Sequence, residues 1–499
     1  GSVILPDPVV FYSIRFFRLI CKSFRKMPCA KERAAVSSLT DNRMESSALA
    51  ELFLDGRLFL SFLLIHSVLL TSVFGRMGLM YVLPFFFFVW AVLCLAYKLR
   101  RSRGLLRPEV VWPFAIILLT QLTTLALTGV DSAALSHLSA TLTLLIGVYC
   151  CGAEKTQGLF EAFLVLLVLF DGMCLARAFV AETDVVLGVA QGLSPTDGAL
   201  CGISISCNQL AAINLCGFFI VALLMARLRG MRAPWRRAIL SFCGVVCFLF
   251  LAVSGCRAVN IALVIAAFFV GAASFAGLFS GRRACVWGAL LGGLVAVCIA
   301  WTVTEAVFEG WKALIRHIGI QSFIPSSISL PSWAGEVDAA PEVVSTGLLH
   351  RADEILSGRP TIWLRSFTIW EKRPLFGVGQ SNLRALYNAA FGSGDPNYPY
   401  EYLHNGYLQI LVANGVAGLC GFVLFVVMRA RDWLKSFARS LSRPTCASVE
   451  TALLFGFLLS LFAYNLVEGN FFYELKHVAI LFWLFAAMLD DRIQNQKAL

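Results

Sequence analysis

Twelve stretches of this chain are apolar enough and long enough to cross a lipid bilayer, and that feature restricts the fold more than any other. Spanning a hydrocarbon core takes about 20 consecutive apolar residues, with some tolerance either way. The candidates are Leu58–Phe74, Met77–Tyr97, Val110–Gly129, Leu135–Cys151, Gly158–Phe179, Asn208–Ala226, Ala238–Gly255, Ala258–Phe279, Ala284–Val303, Tyr407–Met428, Glu450–Val467 and His477–Leu489. The last is the shortest. With no water inside a bilayer, a chain of such segments satisfies its backbone as helices. The expectation is an all-α, polytopic membrane protein of about twelve transmembrane helices. Composition agrees: 59% of residues are hydrophobic and 14% charged, against about 25% charged in ordinary soluble domains.

The basic residues fall in bursts on alternate gaps between the apolar stretches. Arg15, Arg18, Lys22, Arg25, Lys26, Lys31 and Arg33 precede the first, and the second gap holds Lys98, Arg100, Arg101, Arg103 and Arg107. The sixth, eighth and tenth gaps follow suit with Arg227–Arg237, Arg282–Arg283 and Arg429–Arg443, while the fourth carries only Lys155. Positive charge marks the cytosolic side, so both termini are expected in the cytosol. A net charge of +11 spread this way indicates membrane orientation and anionic lipid contact, not nucleic acid.

The expected organisation is therefore a basic cytosolic or membrane-surface tail (1–57), transmembrane helices 1–9 (58–303), an extracytoplasmic loop domain (304–406), transmembrane helices 10–12 (407–490) and a cytosolic tail (491–499). In the first tail, Phe11–Arg25 alternates apolar and basic residues and reads as a helix lying on the inner leaflet. The chain opens Gly1-Ser2, which reads as a cloning remnant. Most of the sixteen cysteines lie in apolar segments and act there as small hydrophobes. Cys201 and Cys207 share a short outer loop where a disulfide is conceivable.

The ninth gap stands out. About a hundred residues, Thr304–Asn405, leave the cytosol where most other outer gaps are short. Within it Thr361–Glu371 has an amphipathic pattern with Ile362, Trp363, Phe367 and Trp370 as anchors, ended by Pro374. Gly377-Val378-Gly379 makes a turn and Ser381 suits the start of a second helix running through Tyr387. A long, partly helical loop docked on the membrane is expected between helices 9 and 10.

Three side chains near the outer rim carry chemical potential. Arg359 opens the amphipathic helix, where N–H groups and a guanidinium jointly suit an anion; pairing with the loop's own acids is the plainer reading. Arg257 follows Ser254-Gly255-Cys256 at a tight outer turn, a depth at which charge is paired, functional or snorkelling to lipid. His404, at the loop's end, suits general-base work or a phosphate contact. Asp171 lies mid-span, where a structural partner on a neighbouring helix competes with a functional role. Arg177, two turns nearer the outside, suits an outward anion site. The loop has no DxD-like pair, and no GxxxxGK[ST] phosphate loop occurs in the chain. An enzyme facing this way needs a substrate that arrives already activated.

The ordered motifs Ser357-Gly358-Arg359, Ile362-Trp363, Pro374-Leu-Phe-Gly-Val-Gly379 and Leu403-His404-Asn405-Gly406-Tyr407-Leu408-Gln409 together resemble the O-antigen ligase and polymerase superfamily of bacterial envelope enzymes. Asn208-Gln209-Leu210-Ala211 is similar to that family's Asn-x-x-Ala helix start, and Gly255-Cys256-Arg257-Ala258 to its small-residue-plus-arginine turn, with Cys256 standing where serine is common. The resemblance implies transfer of a saccharide from a polyprenyl-pyrophosphate carrier to a lipid or glycan acceptor at the outer face of the bacterial inner membrane. It implies no metal and no cofactor, the lipid-linked saccharide being a substrate. It carries catalytic roles to His404, Arg257 and Arg359, and substrate-binding roles to Arg177, Asn208, Asn405 and Tyr407. The acceptor separates a ligase, which uses a lipid A-core, from a repeat-unit polymerase. A transporter for the same lipids remains the reading that Asp171 would favour.

Overall fold

A computed structural model describes residues 53–54, 56–76, 79–101, 108–150, 156–180, 185–186, 189–190, 192–193, 199–228, 231, 233–276, 282–318, 358–391, 402–442, 446–469 and 471–498. The protein is all-α with four very short strands. Each apolar stretch becomes a helix: α1 (Arg57–Thr71), α2 (Leu79–Arg101), α3 (Pro108–Thr128), α4 (Ser132–Leu142, continuing as a π-helix over Thr143–Cys150) and α5 (Gln157–Val180). Next come β1–β4 between Val185 and Gly202, then α6 (Cys207–Arg227), α7 (Pro234–Val253), α8 (Arg257–Ala276) and α9 (Arg282–Ile318). Two short helices, α10 (Arg359–Trp370) and α11 (Leu383–Phe391), precede α12 (Gly406–Ser442), α13 (Cys446–Val467) and α14 (His477–Ala498).

Among the described residues, nine helices are long and apolar enough to cross a membrane, and α1 and α8 are shorter apolar helices. The protein is a multi-pass membrane protein. The twelfth expected span, α14, is enclosed: every residue from Val478 to Leu489 is buried. A helix apolar on all sides belongs at the centre of a bundle, and α14 packs against α4, α6, α12 and α13 there. Elsewhere small residues let backbones approach. A Cβ on Gly271 of α8 would lie 2.3 Å from the Gly292 carbonyl oxygen of α9, the close contact that membrane helices use in place of a hydrophobic drive.

Three boundaries differ from expectation. Helix α9 does not end near Val303 but runs on to Ile318. At 1.5 Å per residue its 37 residues extend about 55 Å, well past a hydrocarbon core of about 30 Å. The loop domain therefore begins as a rigid continuation of a span. Helix α12 likewise runs through the basic burst to Ser442, and α14 through the expected cytosolic tail to Ala498. Arg429 is buried on α12 and binds Asp490 at 2.6 Å and Glu109 at 3.2 Å; Arg227 binds Glu450 at 2.6 Å, and Arg492 binds the same carboxylate. These ion pairs knit the basic ends of α3, α6, α12, α13 and α14 together. The expected surface helix at Phe11–Arg25 lies outside the described residues, as do 319–357 and 392–401 of the loop.

At the opposite, loop-bearing side, α12 is broken. Gly415 has φ +69°, and the helix pieces on either side leave backbone groups unpaired. The segment Pro374–Gly379 fills the break. Val378 and Gly379 donate N–H bonds to the carbonyls of Val412 and Ala413 (2.9 and 3.0 Å), while Val416 and Ala417 donate to Pro374 and Leu375 (2.9 and 3.1 Å). Thr124 of α3 donates its hydroxyl to the Phe376 carbonyl at 2.5 Å. Irregular backbone at such a depth needs this internal pairing. Glycine is required on both sides of the contact: a Cβ on Gly377 would meet the Ala413 backbone at 2.4 Å, and one on Gly415 the Leu375 oxygen at 2.2 Å.

Candidate functional site

The carboxylate of Glu468, just past the end of α13, is the hub of the loop-side cluster. Its side chain is 7% exposed, and three of the residues singled out from sequence converge on it. Asn208, in the first turn of α6, donates its Nδ2 to Oε1 at 2.9 Å. Arg359, first residue of α10, donates Nη2 to the same oxygen at 2.5 Å. His404 donates Nδ1 to Oε2 at 3.0 Å. Burial by itself would raise the Glu468 carboxyl; the charge and hydrogen bond of His404, then those of Arg359, outweigh it and hold the group at about 2.

Local sequence explains the placement. Ser206 caps α6 by accepting from the Gln209 N–H, which puts Asn208 on the helix's leading turn. Gly358, with φ +76°, turns the chain into α10 and Pro360 suits the first turn. His404 itself is held in the left-handed region, φ +49°, an uncommon and costly conformation for a residue with a Cβ. Its predecessor is clamped at both ends: Trp363 Nε1 donates to the Leu403 carbonyl at 2.9 Å, and the Leu403 N–H donates to Gln409 Oε1 at 2.8 Å. Gly469 and Gly406 let the two loops touch, since a Cβ on Gly469 would lie 2.5 Å from the Gly406 nitrogen.

The other expected site residues are placed differently. Arg257 opens α8 and is exposed. It follows buried Cys256, whose thiol is pushed up to about 12 by burial and then by the Glu468 charge, so this turn borders the cluster. Arg177 lies half-exposed in the last turn of α5, outside the trio on Glu468. Asn405 accepts the N–H groups of Tyr407 and Leu408 at 3.0 Å each and donates to the Leu466 carbonyl. The Tyr407 hydroxyl donates to the Phe462 carbonyl at 3.0 Å. Both side chains thus serve the start of α12. Asp171 accepts from Asn214 of α6 at 2.9 Å, a structural partner on a neighbouring helix. Cys201 and Cys207 are free thiols.

In the loop, α10 buries Pro360, Ile362, Ser366 and Ile369. Phe367 points outward at 40% exposure, beside exposed Leu364, while Trp363 and Trp370 are partly buried. Helix α11 starts at Leu383, two residues after the expected Ser381. Sequence reasoning missed Glu468, Trp363 as a clamp, and Gln409. The available signal for Glu468 was an acid at the end of an apolar span, on the side where the arginines and the histidine gather.

The fold and this cluster define a multi-pass helical membrane protein that sets a fixed imidazole and a guanidinium around one buried carboxylate at its loop-bearing rim. Residues 242–423 match the family model described as O-antigen ligase, which supports a likeness to the O-antigen ligase superfamily. The match runs from α7 to the middle of α12 and includes Arg257, Arg359 and His404; Asn208 and Glu468 lie outside it. A search of curated proteins gave no match.

Proposed function

We propose that this protein is a glycosyltransferase that moves a saccharide from a polyprenyl-pyrophosphate carrier to an acceptor hydroxyl at the extracytoplasmic face of the bacterial inner membrane, with lipid A-core as acceptor. The observation that carries the reading is His404, fixed by strained backbone and by Glu468, beside Arg359. In the neutral ring Nδ1–H stays on the carboxylate and Nε2 is the proton acceptor; the same ring, once protonated, carries the charge that holds Glu468 ionised. The acceptor hydroxyl oxygen attacks the anomeric carbon and gives its proton to Nε2. The bond from that carbon to the pyrophosphate oxygen breaks, and its electron pair leaves with the polyprenyl pyrophosphate. Arg359, and Arg257 from the bordering turn, stabilise the charge gathering on that leaving group. Arg177 adds positive charge on the same face. Asn208 holds Glu468, and Asn405 and Tyr407 hold the start of α12. The donor is already activated, so the reaction needs neither nucleotide nor metal.

The test is transfer in proteoliposomes containing the full chain, a purified lipid-linked saccharide and one acceptor at a time. Product on lipid A-core, abolished by His404→Ala and by Arg359→Ala in variants that still fold, is the expected result. Product formed only on a second lipid-linked repeat unit would make the enzyme a polymerase. Absence of any new glycosidic bond with both acceptors would retire the transfer reading.

A further inference from the structure

His404 is a strained residue with an anchor on each side of it. Its left-handed backbone, φ +49°, persists only where the surroundings over-determine it. Upstream, both polar groups of the Leu403 backbone are taken. Its N–H donates to Gln409 Oε1 at 2.8 Å, and its carbonyl accepts from Trp363 Nε1 at 2.9 Å. Downstream, Asn405 caps α12, its side chain accepting the N–H groups of Tyr407 and Leu408 at 3.0 Å each. The Asn405 carbonyl in turn accepts the backbone N–H of Gln409 at 2.8 Å.

Gln409 thus holds both neighbours of the histidine, Leu403 through its side chain and Asn405 through its main chain. Any residue but proline makes the main-chain bond. The bond to Leu403 needs a side-chain acceptor long enough to reach back six residues. Leu403 and Gln409 are both buried, so losing that acceptor leaves a buried N–H unpaired. A second amide decides which end of Gln409 faces Leu403. Gln409 Nε2 donates to Gln380 Oε1 at 2.6 Å, which leaves its Oε1 for the Leu403 N–H. Gln380 is buried too and follows Gly379, whose N–H is bonded to the Ala413 carbonyl at 3.0 Å. Ala413 lies one turn along α12 from Gln409. A continuous line of bonds therefore runs from the break in α12 to the residue before His404.

We propose that Gln409 is a positioning residue for the transfer reaction: it bridges Leu403 and Asn405 across His404, sets that ring against Glu468, and is itself oriented by Gln380. This rests on the transferase reading and extends it to residues that touch no reacting atom. The direction of the imidazole is set jointly by the backbone at 404 and by its Nδ1 bond to Glu468. Without the Leu403 anchor the backbone relaxes out of the left-handed region and carries Nε2 away from the acceptor hydroxyl. Every group that performs chemistry is still present, yet displacing one by about 1 Å costs about 10²-fold in rate.

The test compares Gln409→Met, Gln409→Glu, Gln380→Leu and the double variant Gln380→Leu/Gln409→Met with wild type, each as the full chain. Methionine matches glutamine in length and cannot accept from Leu403, whereas glutamate keeps an acceptor there. In the proteoliposome assay Gln409→Met should lose about 10²-fold in kcat with KM within about twofold of wild type. Gln409→Glu should recover most of that loss. Gln380→Leu should cost less, and nothing further when added to Gln409→Met, because it acts through that residue. Nitrogen-15 NMR of labelled histidine in nanodiscs reads the ring without substrate, the His404 signal being assigned by its loss in His404→Gln. Wild type should show a neutral ring protonated on Nδ1, and Gln409→Met a mixture of the two neutral tautomers. A residue that only adds stability would leave the tautomer unchanged. Wild-type kcat and tautomer in Gln409→Met would overturn the proposal, as would a Gln380→Leu loss that adds in full to that of Gln409→Met. Should Gln409→Met not fold, Gln380→Leu carries the same two readouts, and wild-type values in it count against the bridge. The NMR arm needs no turnover, so it judges the bridge even for a chain whose failure to transfer retires the transferase reading.

Discussion

Replacing Glu468 by glutamine changes one atom type at the hub and should stop the reaction through the histidine tautomer. Oε1 accepts two bonds, from Asn208 and Arg359, and Oε2 accepts one, from His404. A glutamine keeps its oxygen toward the two donors and turns its NH₂ toward His404. Nδ1 must then accept, so the ring proton moves to Nε2, where it blocks uptake of the acceptor's proton. Loss of a positioned base costs about 10²–10⁴ in kcat, and that is the expected fall in the proteoliposome assay. Stability reports the same contacts. A carboxyl brought from its ordinary 4.5 to about 2 favours the charged form by ~3 kcal/mol. Because the folded value lies below the unfolded one, this stabilisation is fully present above about pH 4.5 and is lost as pH falls toward 2. Wild-type melting temperature should drop across that window, and Glu468→Gln should flatten the drop. A glutamine variant that melts like wild type at every pH and transfers saccharide at the wild-type rate would refute both the hub and the tautomer argument.

Other outcomes follow from the same geometry. Arg257→Lys should lower transfer while leaving the fold intact, because an ammonium lacks the planar fork that grips phosphate; a wild-type rate would remove Arg257 from the leaving-group site. Gly415→Ala should lower thermal stability by at least ~1–2 kcal/mol for the left-handed backbone alone, with a clash against the Leu375 carbonyl added; an unchanged melt would show that the Pro374–Gly379 insert is not packed as described. Asp171→Asn should leave transfer near normal, since an amide can replace the partner of Asn214, and loss of transfer would assign Asp171 a functional role. Prolonged treatment with EDTA should leave transfer unaffected, and restoration of a lost rate by a divalent cation would contradict the proposed mechanism.

Hydropathy located the apolar helices of the bundle among the described residues, nine of them long and apolar enough to cross a membrane, because each must offer an apolar surface whatever it packs against. What it could not convey is how far helices continue past the lipid. Glu305, Glu309 and Lys312 read as loop residues, yet Lys312 bonds Glu309 one turn back and lies 4.7 Å above the Phe308 ring, local contacts that suit an exposed helix. Gly377-Val378-Gly379 read as a turn, but the role of Pro374–Gly379 as filler for a broken helix depends on carbonyls some 35 residues later, beyond the reach of any periodicity. The amphipathic pattern of α10 named Ile362, Trp363, Phe367 and Trp370 together, but it does not say which of them faces the protein: Ile362 is buried and Phe367 is 40% exposed.

Glu468 shows the same limit at the site. Its partners lie 64, 109 and 260 residues away in sequence, so nothing near it signals that it is buried. Its presence nevertheless follows from the requirement that the arginine and histidine impose. A guanidinium held at a poorly hydrated rim needs an anion, and a resident carboxylate supplies one without leaving. A guanidinium has five N–H donors, more than one carboxylate oxygen can take, so Arg359 can stay on Glu468 and still meet phosphate. In the proposed mechanism the same carboxylate holds Arg359 and the His404 ring at fixed positions throughout the reaction, which is the preorganisation that makes electrostatic stabilisation effective. On this view the acid is as necessary to the site as the residues whose motifs advertise it.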